Sequence, residues 1–520
     1  MILHKGLFKP QLQNRIQATS SHPRAQRFRL LLLALMIATS VCAARAETLS
    51  ASISVVSLAP ARLKVEGERS DNSRAWSFRN NYAGVINLGE RIENLVLKDA
   101  SGANVSVRKL ASGEYEAASA ATRFSYEVRL DTPAWEGDAA HASWLSGDRG
   151  FLMLGDLLPL ATVPEGEKPS AVVSFNLPEG WTISSTAGVG AEGRYQVRDA
   201  VSAVFFVGQN LRQKRERVGL MEFTLVTTGE WAFSDEEIMT TASNLLKEHS
   251  QTFGGVPQDR AMLMLSAFPR PAASDHWSAE TRGDTVLLLS GRSPSKTAAL
   301  AQLSFPLAHE LFHLWIPNGI KLDGDYDWFY EGFTLYQALR AGMSLNLLTF
   351  QDYLTAMGRA FDAYKALRER DKLSLIEASS RRWTLPPALV YNKGMLVAFI
   401  YDLALRQQTK GKRSLNDVYR ELFRLYQSPA SRKDGNSAIL AVLNSMGESQ
   451  ELTRRYVETA NVIELPAAIA PFGLQVDPGG VRTRVVVASS VSGAQRDLLK
   501  KFGYNEKTYG VVGHGRRERK

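Results

Sequence analysis

From about Leu49 to Phe223 the chain alternates apolar and polar positions in short runs, separated by Gly, Pro, Asn and Asp. The runs are Ala51 to Ser57, Val85 to Leu88, Asn104 to Arg108, Phe124 to Leu130, Ala171 to Phe175, Ala203 to Val207 and Met221 to Val226. Strand side chains repeat every second position, so this texture predicts a β-sandwich-type domain over residues 47–228. Near Ser234 the period changes. Ser234-Asp235-Glu236-Glu237 reads as a cap with an acidic first turn, opening a helix that runs to about Ser250. Ala261 to Ala267 and Thr285 to Ser290 read as strands, and a helix begins near Ser295 and runs past His313. Pro306 stands inside that helix with no N–H to donate, and is expected to kink it or divide it in two. From about Leu345 to Ala460 the spacing is helical, in Leu348 to Arg370, Gly394 to Gln407, Leu415 to Gln427, Ser437 to Ser445 and Gln450 to Ala460. A last stretch, Leu474 to Lys520, offers two short strands, a helix from Ser492 to Phe502, and the basic end Arg516-Arg517-Glu518-Arg519-Lys520. There is no internal repeat and no low-complexity tract.

Charge changes the picture at one end. Residues 1–46 hold no Asp or Glu but carry Lys5, Lys9, Arg15, Arg24, Arg27, Arg29 and Arg45. An apolar run from Leu30 towards Ala43 follows and closes in Ala44-Arg45-Ala46. Basic segment, apolar segment and Ala-x-Ala together predict a cleaved export signal, placing the protein in the periplasm or outside the cell. The apolar run is short of the ~20 residues a spanning helix needs, so an uncleaved membrane anchor is the weaker alternative. The chain as a whole has a formal charge of +9 from 62 basic and 53 acidic residues. Seven of the basic residues lie in the leader, which leaves about +2 for the remainder. The high isoelectric point therefore reports targeting and excludes nucleic acid as an expected partner. Cys42, the single cysteine, also falls in the leader, and Val41 before it is not the small residue a lipid-attachment site requires. Disulfides and cysteine metal ligands are thus excluded from the mature chain, and its length must supply a large core instead.

The chemistry concentrates in Leu307 to Arg340. His309-Glu310-Leu311-Phe312-His313 places two imidazoles four residues apart, on one face of a helix. Neutral imidazole suits Zn²⁺, and a catalytic zinc takes about three protein ligands. Glu310, beside the first histidine, would be the general base. Glu331 lies eighteen residues beyond His313, in Trp-Phe-Tyr-Glu-Gly-Phe-Thr, and would be the third ligand. His141 stands alone in the β-rich part and reads as a solvated or structural histidine.

HELFH followed by WFYEGFT resembles the gluzincin metallopeptidases, specifically the M1 aminopeptidases and the M61 glycyl-aminopeptidase-like group. The interval of seventeen residues between His313 and Glu331 is one shorter than the usual M1 pattern. M61 is the closer match because its members also read Glu-Gly-Phe-Thr after the zinc helix. Both families have a tyrosine in a Tyr-x-Lys-Gly setting, matched here by Tyr391-Asn392-Lys393-Gly394. The resemblance implies that Tyr391 holds the oxyanion of the tetrahedral intermediate. It also implies a glutamate that grips the substrate's α-amino group. Laying Thr285-Val286-Leu287-Leu288 on the family's edge strand puts Glu280 there, although Trp277 and Ser278 replace the family's glycines. The implied fold class is α+β multidomain: an N-terminal β-sandwich-type domain, a thermolysin-like zinc catalytic domain at 229–345 and a helical domain at 346–465. A short segment at 466–520 is too small for the PDZ module many M61 proteins carry.

The expected activity is that of a zinc metallopeptidase with one Zn²⁺ per chain, acting on peptides and aminopeptidase-like in its specificity. Two alternatives stay open. One is a non-peptidase zinc hydrolase, acting on an epoxide or an amide with the same ligands; turnover of aminoacyl amides discriminates, because an epoxide-only enzyme would leave them intact. A catalytically silent binding protein of the same fold would be marked by loss of Glu310 or a ligand, and neither is lost. Side-chain preference, exo- or endopeptidase action and oligomeric state have no signature in the sequence.

Overall fold

The order of strands and helices along the chain builds a stack of sheets with a helical layer on one side. The computed structural model describes residues 49–164, 167–384, 387–428, 432–477 and 480–505. The expected leader with Cys42, and the basic end from Arg516, lie outside the described residues.

The N-terminal β-rich part is two sheets. A nine-stranded sheet is centred on β1 (Leu49–Leu58), β2 (Ala61–Ser77) and β3 (Glu114–Arg129). A four-stranded sheet contains β4 (Arg149–Met153), and β5 (Ala171–Asn176) belongs to the larger one. β6 (Val204–Gly208) pairs antiparallel with β4 in the smaller sheet. Leu63, Val65 and Tyr126 from the large sheet share one core with Leu152, Phe205 and Val207 from the small one. The run Val85 to Leu88 forms no strand, only a bridge between Tyr82 and Val85 and a 3₁₀ turn at Leu88–Arg91. Ala83, Gly84 and Asn87 all have left-handed backbones there, which breaks an extended run.

A third sheet carries the chemistry. It is built from β7 (Arg212–Val218), β8 (Met221–Thr227), β9 (Arg260–Ala267), β10 (Trp277–Arg282) and β11 (Thr285–Ser290), in the order β7-β8-β9-β11-β10. The run Met221 to Val226 therefore joins this sheet, through parallel pairing of β8 with β9, and does not close the N-terminal domain at 228. Its alternation could not say which sheet it would enter, since both sheets bury such a strand. β11 is buried on both faces: Val286 and Leu288 face the helices, while Leu287 and Leu289 face Trp144, Phe151 and Phe206 of the small sheet. A strand covered on both sides reads as an unbroken apolar run, as this one does.

The helices cover the other face. α1 (Asp235–Phe253) opens on Ser234, which with Glu237 forms a capping box worth roughly 0.5–2 kcal/mol. α2 (Lys296–Phe312) starts after the Ser295 cap and holds the histidine motif at its end, with His313 as the residue that closes it. It is not divided at Pro306. Proline inside a helix costs about 3 kcal/mol, but Leu303, Leu307, Ala308 and Leu311 are all buried around it, and their packing holds one continuous helix. Trp328–Phe333 is a π-helical turn that runs directly into α3 (Thr334–Ser344). Next come α4 (Phe350–Lys365), α5 (Leu375–Ser380), α6 (Ala388–Gln408), α7 (Leu415–Tyr426) and α8 (Gly435–Ser445). Gln450 to Ala460 is only partly α-helical, at Gln450–Thr453, before a π-helical turn at Arg454–Glu458. Among the described residues α6 is the helix long and apolar enough to cross a membrane, but 78% of its most apolar window is buried, so it is the core of the helical layer. β12 (Leu474–Asp477), β13 (Arg484–Val487) and α9 (Gly493–Lys500) complete the described chain.

Candidate active site

α2, the π-helical turn and α6 meet at one point. The turn and α6 approach through two glycines. A Cβ on Gly332 would lie 2.6 Å from the Gly394 Cα, and one on Gly394 would lie 2.6 Å from the Trp328 carbonyl oxygen. Any side chain at either position would push the segments apart, and Glu331 with them. The glycine of Glu-Gly-Phe-Thr and the glycine of Tyr-Asn-Lys-Gly are thus two halves of one contact. A π-bulge shifts the residues that follow it around the helix axis, and such turns are frequent at functional sites.

Three donor atoms converge there. His309 Nε2 and His313 Nε2 are 3.0 Å apart, and Glu331 Oε2 is 3.2 Å from the first and 3.5 Å from the second. A tetrahedral zinc with bonds of about 2.0–2.1 Å places its ligand atoms about 3.3 Å apart, so the three atoms fit such an ion. His313 directs Nδ1 to the Ile316 carbonyl oxygen at 2.9 Å, which leaves Nε2 as the free donor. Glu310 also lies close, with ligand atoms of His309, Glu310 and His313 all within 4.8 Å of one another. The tighter triangle is the one made with Glu331. Glu310 Oε2 stands instead 2.7 Å from Thr281 Oγ1, on the edge strand β10.

The charges are consistent with a cation. Burial alone would push the Glu331 carboxyl up, but hydrogen bonds from His309 and His313 and the nearby Arg382 charge hold it well below the usual range. Burial would lower His313, yet its contacts with Glu331 and Glu310 raise it to about 9. A proton on that imidazole does electrostatically what a bound metal cation would do. Glu310 is pushed up, chiefly by burial, and further by the charge of Glu280.

The other expected residues are placed as follows. Tyr391, in the first turn of α6, accepts a hydrogen bond from Arg382 Nη2 at 2.7 Å, and burial raises its phenol well above the ordinary value. Glu280 is on β10, and β10 rather than Thr285–Ser290 is the edge of the sheet. Its Oε1 accepts from Tyr82 Oη at 2.6 Å and its Oε2 is 2.8 Å from His141 Nδ1. Burial acts to raise this carboxyl, but His141, Arg282 and Tyr82 bring it below its ordinary value, so it is an ionised carboxylate held in place. His141 is therefore a partner of a candidate site residue, which its isolation in the sequence did not signal.

No sequence motif singles out Arg382. It is bonded to Glu331, Asp327, Tyr330 and Tyr391 together. Arg381-Arg382-Trp383 matches no catalytic spacing.

Neither a family model nor a curated protein matches the chain. Among solved structures it is similar to an aminopeptidase N family protein from Idiomarina loihiensis, with a TM-score of 0.71 at 16% identity, covering 86% of this chain and 82% of that one. It is also similar to an M1 zinc metallopeptidase from Deinococcus radiodurans, with a TM-score of 0.52 at 14% identity, covering 80% and 94%. A mutant of the latter bound to the substrate Tyr-Ser-Ala gives 0.53 at 13% identity, covering 81% and 95%. At these identities the likeness is one of fold: a multidomain α+β architecture with an N-terminal β-rich part and a helical C-terminal part.

Proposed function

We propose that the chain is a zinc-dependent peptidase of gluzincin type, with His309, His313 and Glu331 as ligands of one zinc per chain and Glu310 as general base. The convergence of three donor atoms at 3.0–3.5 Å beside a buried carboxylate carries this reading. The M1-type fold of the solved neighbours supports it, as does the peptide bound by one of them. Within the gluzincins, the run Glu331-Gly332-Phe333-Thr334 favours the M61 group in this reading. When bound, zinc supplies Lewis-acid polarisation of the scissile carbonyl and acidifies the attacking water. Glu310 takes the proton of that water and passes it to the leaving amine. Thr281 holds Glu310 from the edge strand, so the carboxylate meets the water in one orientation. Tyr391 donates its hydroxyl hydrogen to the oxygen that becomes negative.

Tyr391→Phe tests the last role, because it preserves the ring and deletes only the hydroxyl. An oxyanion donor is engaged chiefly as charge develops, so kcat is expected to fall by about 10²–10³-fold with KM little changed and zinc content intact. A fall of less than about threefold in a zinc-loaded variant would make Tyr391 a packing residue.

The finer specificity proposed is that of an aminopeptidase, with Glu280 pairing with the substrate's α-ammonium. Tyr82 and His141 fix the carboxylate, and each of its oxygens keeps a lone pair for a further donor. Glu280→Ala is expected to reduce kcat/KM on peptides with a free N-terminus by at least about tenfold more than on N-acetylated ones. Equal losses on both substrate sets would leave Glu280 as a residue that only joins β10 to the β-rich part.

A further inference from the structure

We infer that Arg382 is the positioning residue of this site: its guanidinium fixes both the third metal ligand and the direction in which Tyr391 donates its hydroxyl hydrogen. The inference rests on the proposed zinc site and deepens it. Arg382 lies just after α5 and reaches into the site with an 11% exposed side chain. Its Nη2 stands 2.9 Å from Glu331 Oε1 and donates to Tyr391 Oη at 2.7 Å. Its Nη1 donates to Asp327 Oδ1 at 2.6 Å and to Tyr330 Oη at 3.0 Å. Tyr330 in turn donates to the same Asp327 oxygen at 2.5 Å, so the carboxylate anchors the fork from behind. Four of the five guanidinium N–H groups are thereby committed, two to the anchor and two to the site.

Each site contact has a chemical consequence. Glu331 has two oxygens, and both could turn to a cation. With Oε1 held by Arg382, Oε2 alone is presented to His309 and His313, which is the arrangement their spacing fits. Tyr391 Oη can accept as well as donate. Because Arg382 occupies it as an acceptor, the hydroxyl hydrogen points away from the guanidinium; without substrate it meets Glu331, and a substrate oxygen would take that place. A cation bonded to the phenol oxygen also polarises the O–H, making it a stronger donor to a developing negative charge. One planar group therefore aligns two elements that come from different helices. Lysine cannot do this, because its ammonium is a single point with no fork to span Glu331, Tyr391 and Asp327 together.

The rival role is purely architectural. Asp327 is buried and Arg382 largely so, and such a pair can hold a fold without touching chemistry. Arg382→Lys, made alone and combined with Tyr391→Phe, separates the two, with kcat and KM measured at saturating zinc. Zinc affinity is measured independently by competition with a chelator, and folding by a thermal melt. Arg382→Lys is expected to lower kcat by about 10²-fold with KM within about threefold, and to weaken zinc by about 10–100-fold. In the Tyr391→Phe background the same change is expected to lower kcat by less than about threefold, because the donor it orients is already gone. Equal fractional losses of kcat in both backgrounds, or an unchanged zinc affinity, would overturn the inference. If Arg382→Lys does not fold, Asp327→Asn loosens the anchor of the fork and is read by the same two criteria. A wild-type protein that binds zinc and cleaves peptides while failing these criteria sinks the role of Arg382 alone. A wild-type protein that does neither sinks the zinc-peptidase reading beneath it.

Discussion

Glu310→Gln is expected to lower kcat by roughly 10²–10⁴-fold while leaving the fold and the zinc content unchanged. Glutamine has nearly the shape of glutamate, and its carbonyl oxygen can still accept from Thr281 Oγ1, which stands 2.7 Å from the native carboxylate. The substitution removes a buried charge without opening a cavity, so stability should hold or rise. What glutamine cannot do is take a proton from water. The defect must therefore appear in kcat, with little change in KM, since the proton moves only in the transition state. Elemental analysis, a thermal melt and steady-state kinetics on one peptide check the three parts together. Near-native kcat would show that another group is the base.

The second large effect is on the metal. His309→Ala or His313→Ala is expected to take zinc from about one equivalent per chain to a small fraction after dialysis, with activity lost in parallel. The three donor atoms lie 3.0–3.5 Å apart and the remaining two cannot close a tetrahedral shell. The two variants should differ in stability. His313 is tied to the Ile316 carbonyl oxygen through Nδ1, whereas His309 Nδ1 has no protein partner among the described residues. Removing His313 therefore leaves a buried carbonyl unsatisfied as well, and that variant should melt lower. Full zinc occupancy in either variant would overturn the ligand assignment.

Much of this site was legible because its residues sit in regular local patterns. The histidines are a helical i, i+4 pair, Ser234 and Glu237 announce α1, and the apolar run at Thr285 reads as a buried strand. Ser492, likewise, caps α9 where the pattern placed it. What stayed hidden came from contacts across long sequence separations. Arg382 reaches Glu331 and Asp327 across more than fifty residues, and nothing local to either segment encodes the meeting. His141 meets Glu280 from a different part of the fold. Pro306 argued for a break, but a helix end buried against a sheet outweighs a local preference. Met221 to Val226 was recognisable as a strand, while its sheet was decided by parallel pairing with β9. Short-range pattern names the element, and only the packed fold says what it faces.

The central claim is tested most directly by stripping the purified protein with a chelator and titrating zinc back while following hydrolysis of a mixed library of free and N-acetylated peptides. Activity that vanishes on stripping and returns in proportion to zinc, saturating at about one equivalent per chain, is the expected result. Peptide hydrolysis that survives complete removal of metal, or a zinc-loaded protein that cleaves nothing in the library, would contradict it.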